Sequence, residues 1–298
     1  MSDEFFFNKD KVVLGTAGLA GIWGDVDKNE SVDTILFALE SGITHFDSAP
    51  AYSDAESILG KALCQWRGAR PFVSTTVGKL KSDSPDSVAY DYSFDGMERS
   101  VEESLKTLGV DKIDLLFLHD PPGMEEHEIL PALEFMSKIK ERGFADKIGI
   151  GGNYGSQFSG YVDEAGFDYF MGFNRYNIIS QAALNDEFIA LDKAKILKWQ
   201  ASPLYMGLLG SRFQTYQDMQ PSWIPSDDLF RAKTLNQFSI DKGIQMPLIA
   251  LQFLMNATCI DRVVLGASTM NELKSTFSYL SNQDFNYPAL IDEFNTMG

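Results

Sequence analysis

"SVDTILFALESGITHFDS", residues 31 to 48, holds a helix and a strand back to back. Val32, Ile35, Leu36 and Leu39 recur at helical spacing, Ser31 stands at the N-cap position, and Gly42 stops the helix. "ITHFDS" (43 to 48) is then a short β-branched and aromatic run ending in a carboxylate, Asp47. A helix that hands straight to a strand is half of a repeating βα unit, and the rest of the chain repeats it.

Seven further runs read as strands: "VVLGT" (12 to 16), "PFVSTTV" (71 to 77), "IDLLFL" (113 to 118), "KIGIG" (147 to 151), "YFMGF" (169 to 173), "ILKWQA" (196 to 201) and "RVVL" (262 to 265). Amphipathic stretches lie between them. In "DGMERSVEESLKTLG" (95 to 109), Met97, Val101, Leu105 and Leu108 share one face and Gly109 follows the last turn. Eight strands alternating with helices predict an α/β protein of the closed (β/α)8 TIM-barrel type. With no linker, repeat or low-complexity stretch, residues 1–298 are expected to form a single domain. Two segments read as irregular, 81 to 94 and 203 to 225. Both follow strands, so both are expected to shape a pocket at the C-terminal face.

Composition narrows the function. A formal charge of −17 with no basic stripe argues against nucleic acid as a partner. No apolar run reaches the ~20 residues of a membrane helix, so no membrane partner is expected, and "MSDEFFFNKDK" does not read as a signal peptide, so residence in the cytoplasm is expected. Cys64 and Cys259, the two cysteines, have no CxxC spacing and no histidine pair nearby. They read as free core thiols, and no metal site is expected.

Polar residues at strand ends are where barrel enzymes keep their chemistry. Asp47 ends the second strand with Tyr52 five residues on, and His119 ends the fourth. "FDSAPAYSDAESILGKAL" (46 to 63) resembles the signature of the aldo-keto reductases, an Asp-x-Ala-x-x-Tyr followed by Glu and then Gly-x-Ala-Leu. Asp47, Ala49, Tyr52, Glu56, Gly60, Ala62 and Leu63 carry it, while Ser53 stands at a common glycine position. The resemblance continues in "DLLFLHDP" (114 to 121), "KIGIGGN" (147 to 153), "ASPLYMGLL" (201 to 209) and "VVLGAS" (263 to 268). "HDP" and "ASPLYMGLL" look like the aldose 1-dehydrogenases that oxidise L-galactose, L-fucose or D-threo-aldoses with NAD.

The resemblance implies hydride transfer between a nicotinamide and the carbonyl carbon of a sugar, with Tyr52 as acid or base and His119 orienting the oxygen. A phenol is a poor base at its usual pKa of ~10, so the family sets a lysine beside it, paired to the aspartate. Here the third strand reads Ser74-Thr75-Thr76-Val77-Gly78-Lys79, with Thr76 in the lysine's place. Three readings stand open: Lys79 curls back past the permissive Gly78; Asp47, Tyr52 and His119 work without a lysine, so that oxidation needs alkaline pH; or redox turnover is lost and the barrel is a nucleotide-binding sensor or non-redox catalyst.

No GxGxxG follows a strand, which fits a family that lays an extended dinucleotide across the barrel mouth. By resemblance, Asn153 with its neighbour Gly152 and Asn174 beside Phe173 would meet the carboxamide. Ser202, Leu204 and Gly207 would line the pyrophosphate, and Gly266, Ala267 and Ser268 would approach the adenosine phosphate. Glu272, where members using NADP carry a basic residue, would repel a 2′-phosphate, so the expected cofactor is NAD rather than NADP. Glu272 reads equally as a helix-start carboxylate. Ile22, Trp23, Asp120 and Tyr205 are the expected substrate contacts. The expected partner is a small-molecule sugar or aldehyde, and the expected state a monomer or homodimer. A general NADPH-dependent carbonyl reductase and a regulatory barrel are the alternatives.

Overall fold

A computed structural model describes residues 5–81, 89–162 and 165–297. Eight parallel strands, β1 (Val12–Gly15), β2 (His45–Asp47), β3 (Phe72–Val77), β4 (Ile113–His119), β5 (Ala145–Gly151), β6 (Tyr169–Phe173), β7 (Leu197–Ala201) and β8 (Arg262–Gly266), form one closed barrel in sequence order. Closure comes from β8 pairing back on β1, with Val12 beside Val263 and Gly15 beside Gly266. Each strand falls within two residues of its expected bounds.

The helices are α1 (Lys28–Glu40), α2 (Ala55–Gln65), α3 (Phe94–Leu108), α4 (Glu126–Glu141), α5 (Ser156–Ser159), α6 (Glu187–Lys193), α7 (Phe213–Asp218), α8 (Ser226–Lys242), α9 (Met246–Asn256), α10 (Met270–Ser281) and α11 (Tyr287–Asn295). The start of α1 corrects the expectation at Ser31. The cap is Asp27, whose carboxylate accepts from the amides of Asn29 and Glu30. Lys28, Asn29 and Glu30 carry no apolar side chain, so the first turn is invisible to hydrophobic spacing, whereas a side-chain oxygen at Asp27 satisfies amides that would otherwise be orphaned. The segment 203 to 225 is likewise more regular than expected, because it contains α7. Of 81 to 94, residues 82–88 lie outside those described. Cys64 is exposed rather than a core thiol, and Cys259 is half-buried; both are free.

Alternation along the strands decides which side chains enter the barrel, since successive residues point to opposite faces. On β4, Leu115 and Phe117 join Val13, Met171, Trp199 and Val264 in an interior cluster, while Leu116 and Leu118 face the helices. Trp199 fills the centre, with Phe117 and Tyr169 edge-on at 5.6 and 5.5 Å. The same parity turns His119 inward at the rim. It does the same for Asp47 after the outward Phe46, and for Ser74 and Thr76 between the outward Val73, Thr75 and Val77.

Outside the barrel, α2 and α3 meet at Gly60, where an added Cβ would come 2.4 Å from the Thr107 carbonyl oxygen. Glycine is the residue that permits this approach. Thr75, pointing outward, donates at 2.6 Å to the buried Glu56 of α2, so the helix is bonded to the back of β3.

Candidate active site

Four inward groups gather at the C-terminal rim of β2, β3 and β4. The buried Asp47 carboxylate accepts a 2.6 Å hydrogen bond from Ser74, its register partner on β3. Thr76 Oγ1 lies 2.9 Å from His119 Nδ1. The Tyr52 ring stands edge-on to the His119 ring with centroids 5.9 Å apart. Ser53, at the common glycine position after Tyr52, takes a left-handed backbone with φ of 51°.

Burial governs how these groups titrate. It pushes the Asp47 carboxyl up to about 7, against the smaller downward effect of the Ser74 hydrogen bond. The Tyr52 phenol is raised well above its ordinary value, first by burial and then by the charges of Asp47 and Asp120. Burial also lowers His119 to about 4; Asp120 pulls it up and Lys79 pushes it down, both less strongly. At neutral pH the imidazole is therefore uncharged, and Tyr52 is a poor proton acceptor.

Lys79 is one step outside this group. Its ammonium sits 2.7 Å from Asp120 Oδ2, and that oxygen is 3.8 Å from His119 Nε2. Tyr92, the residue whose importance the sequence concealed, shares its single O–H between the carbonyls of His119 and Asp120, at 2.8 and 2.9 Å. Tyr90 stacks on Tyr92 with centroids 5.4 Å apart and pairs with Lys79 through a short antiparallel bridge, and the charge of Asp120, after burial, raises its phenol above the ordinary value. The alternating "YDY" at 90 to 92 is the one local sign that this stretch runs extended. Asp120 has φ of 49°, and Gly152 opposite it has no Cβ, which would lie 2.7 Å from Asp120 Oδ1.

The remaining expected residues ring the same face. Asn153 is bound through both arms of its amide to the Phe173 backbone, donating to the carbonyl at 2.9 Å and accepting from the amide at 3.1 Å. Asn174 has φ of 61°, and its buried Oδ1 has no hydrogen-bond partner among the described residues. Ser202, Leu204 and Gly207 lie in the tight turn after β7; Tyr205 there is buried and donates to Asp228 at 2.5 Å. At the end of β8, Gly266 is exposed; beyond it Ala267 is buried, while Ser268 N–H donates to Glu272 Oε2 at 2.7 Å and Glu272 N–H to the cap Thr269 at 3.2 Å. After β1, Ile22 is buried and Trp23 exposed.

The orphaned Asn174 Oδ1 is an acceptor that the amide hydrogens of a nicotinamide carboxamide fit. Among the described residues no cluster of three or more His, Cys, Asp or Glu could hold a metal ion, and no helix is long and apolar enough to cross a membrane.

Residues 11–290 match the aldo/keto reductase family, and the chain belongs to that family of oxidoreductases. It is 27% identical to the D-threo-aldose 1-dehydrogenase of a Pseudomonas species, over 89% of this chain and 87% of that one. It is 26% identical to the L-galactose dehydrogenase of Arabidopsis thaliana, over 88% and 82%. In fold it resembles a glycerol dehydrogenase of Gluconobacter oxydans, with a TM-score of 0.75 at 20% identity, covering 98% of this chain and 95% of the other. The protein is thus an enzyme of nicotinamide-dependent redox chemistry on a small molecule, with relatives that act on aldoses.

Proposed function

We propose that the enzyme is an NAD-linked aldose 1-dehydrogenase whose oxidation of the sugar runs best at alkaline pH. The observation that carries this is the pairing around Tyr52. Asp47 bonds Ser74, Thr76 contacts His119, and the Lys79 ammonium is held by Asp120 rather than beside the phenol. Without a cation next to it, Tyr52 ionises only well above neutrality, so the fraction of enzyme able to take a proton rises with pH.

In this reading the C1 hydroxyl lies between Tyr52 and the uncharged His119. His119 donates from Nε2 to hold the oxygen, and Tyr52 takes the hydroxyl proton. A nicotinamide bound beside them would supply the acceptor for the hydride leaving C1. Asn153 and Asn174 would hold its carboxamide, Asn174 through its orphaned oxygen. Ser202, Leu204 and Gly207 would line its pyrophosphate, and Gly266, Ala267 and Ser268 its adenosine phosphate.

The preference for NAD is supported at the start of α10. Ser268 N–H is taken by Glu272, and Met270 N–H has Glu30 at 3.4 Å. Two carboxylates disfavour a 2′-phosphate, whereas a ribose hydroxyl can donate to either.

The test is NADH formation from pH ~6 to ~11 with L-fucose, L-galactose and D-arabinose. A rate rising into the alkaline range supports the reading. A plateau at neutrality would require a cation at Tyr52 and overturn the pH assignment. No turnover in either direction with bound cofactor would return the protein to the sensor or non-redox class.

A further inference from the structure

Asp120 is held with more care than a loop residue needs. Its backbone is left-handed, its carbonyl and that of His119 are both contacted by the Tyr92 hydroxyl, and its carboxylate is gripped by Lys79 with Gly152 leaving room. Yet the ion pair is not sealed: the Lys79 and Asp120 side chains keep 21% and 26% of their accessible surface. Between them they retain unused capacity, since the ammonium has three donors and the carboxylate roughly four lone-pair sites.

Resting on the proposed function, we infer that the Lys79–Asp120 pair selects substrates bearing a hydroxyl on the carbon next to the reacting one. His119 Nε2 and Asp120 Oδ2 are 3.8 Å apart. Two polar atoms at that spacing, each extending a hydrogen bond of ~2.8 Å, can address neighbouring oxygens of one vicinal diol. The reacting oxygen sits at His119, and the adjacent hydroxyl donates to Asp120 while accepting from Lys79.

The pair also defines what it refuses. A charged group at that carbon would meet a like charge on one member of the pair and an unlike charge on the other, so the ion pair gives it no net attraction that a neutral hydroxyl lacks. A bare methylene would displace water from both charged groups and return no hydrogen bond, which is how a site built for a hydroxyl rejects the analogue lacking it. The class that fits is neutral and α-hydroxylated, an aldose rather than a simple aldehyde. Among the described residues, Thr76, Lys79, Tyr52, Tyr90 and Tyr92 also face the His119–Asp120 pair.

D-arabinose and 2-deoxy-D-ribose differ only in the hydroxyl at C2, and kcat/KM for the two measures the pair directly. The wild-type enzyme is expected to favour D-arabinose by at least about tenfold. Asp120→Gly removes the carboxylate while tolerating the left-handed backbone, and is expected to bring the ratio below about threefold, with the loss falling on D-arabinose. Lys79→Met should move it in the same direction. Asp120→Asn, which also tolerates that backbone, keeps an acceptor and should retain part of the discrimination. Thermal unfolding and cofactor binding of each variant separate this from misfolding; if Asp120→Gly is unfolded, the Lys79→Met and Asp120→Asn ratios decide. A ratio unchanged across the folded variants, with D-arabinose oxidised, overturns this inference alone. No aldose oxidised by the wild-type enzyme overturns the proposed function and this inference with it.

Discussion

Thr76 Oγ1 and His119 Nδ1 lie 2.9 Å apart, joining neighbouring strands at the rim of the barrel. The contact ties the third strand's inward hydroxyl to the imidazole and leaves Asp47, one strand away, with a serine for its hydrogen-bond partner. A position able to carry a charge carries a neutral group instead.

Thr76→Lys should reverse this. An ammonium beside Asp47 and Tyr52 favours the ionised form of both, so each titrates lower. The pH profile of sugar oxidation is expected to move down by at least about one unit, read from initial rates of NADH formation. An unmoved profile would mean that Tyr52 does not limit the rate.

Asp47 makes stability depend on pH. Its carboxyl titrates at about 7 in the folded chain against 3.8 as a free side chain. The folded state therefore resists ionising it: no penalty applies below pH ~4, the penalty grows as pH rises, and it is complete above ~7, where it reaches about 4 kcal/mol. Asp47→Asn keeps the shape without the charge. Its stability relative to wild type, from urea unfolding, should be near level at pH ~4.5 and higher by a few kcal/mol at pH ~8. Equal differences at both values would contradict the assignment.

Gly60→Ala tests the seam between α2 and α3. The new Cβ would lie 2.4 Å from a backbone oxygen, so one helix must shift. A loss of about 1–3 kcal/mol is expected in chemical denaturation, against the small gain that alanine normally brings to a helix.

Glu272→Arg exchanges a carboxylate for a phosphate-binding fork at the start of α10. The ratio of NADP to NAD affinity is expected to rise at least about tenfold, at a cost of about 1 kcal/mol for the lost bond to Ser268 N–H. Fluorescence titration with both dinucleotides measures the first, and thermal unfolding the second. No change in the ratio would place the adenosine end elsewhere.

The barrel was legible because each strand is a short apolar run with clear ends, and period-two parity then turns Asp47, Thr76 and His119 inward. What escaped was set by side chains rather than by pattern. Asp27 caps α1 through its oxygen, which hydrophobic spacing does not register. The resemblance named Thr76 as the altered position, but the groups around it follow from register: Ser74 is opposite Asp47 only because β3 pairs with β2 at that step. Tyr92 was hidden most deeply. Its two hydrogen bonds reach backbone carbonyls 27 and 28 positions away, and a carbonyl carries no signature in a sequence.

That tyrosine bears on how such an enzyme can diversify. Because Tyr92 bolts the segment after β3 to the backbone of His119 and Asp120, a graft or insertion between residues 90 and 92 would be felt at His119 itself. The segment 203 to 225, after β7, is anchored differently: Tyr205 bonds Asp228, so its turn is secured to α8 and not to the strand that carries His119. A change in the first loop is therefore transmitted to the rim of β4, and a change in the second to the outer helix α8.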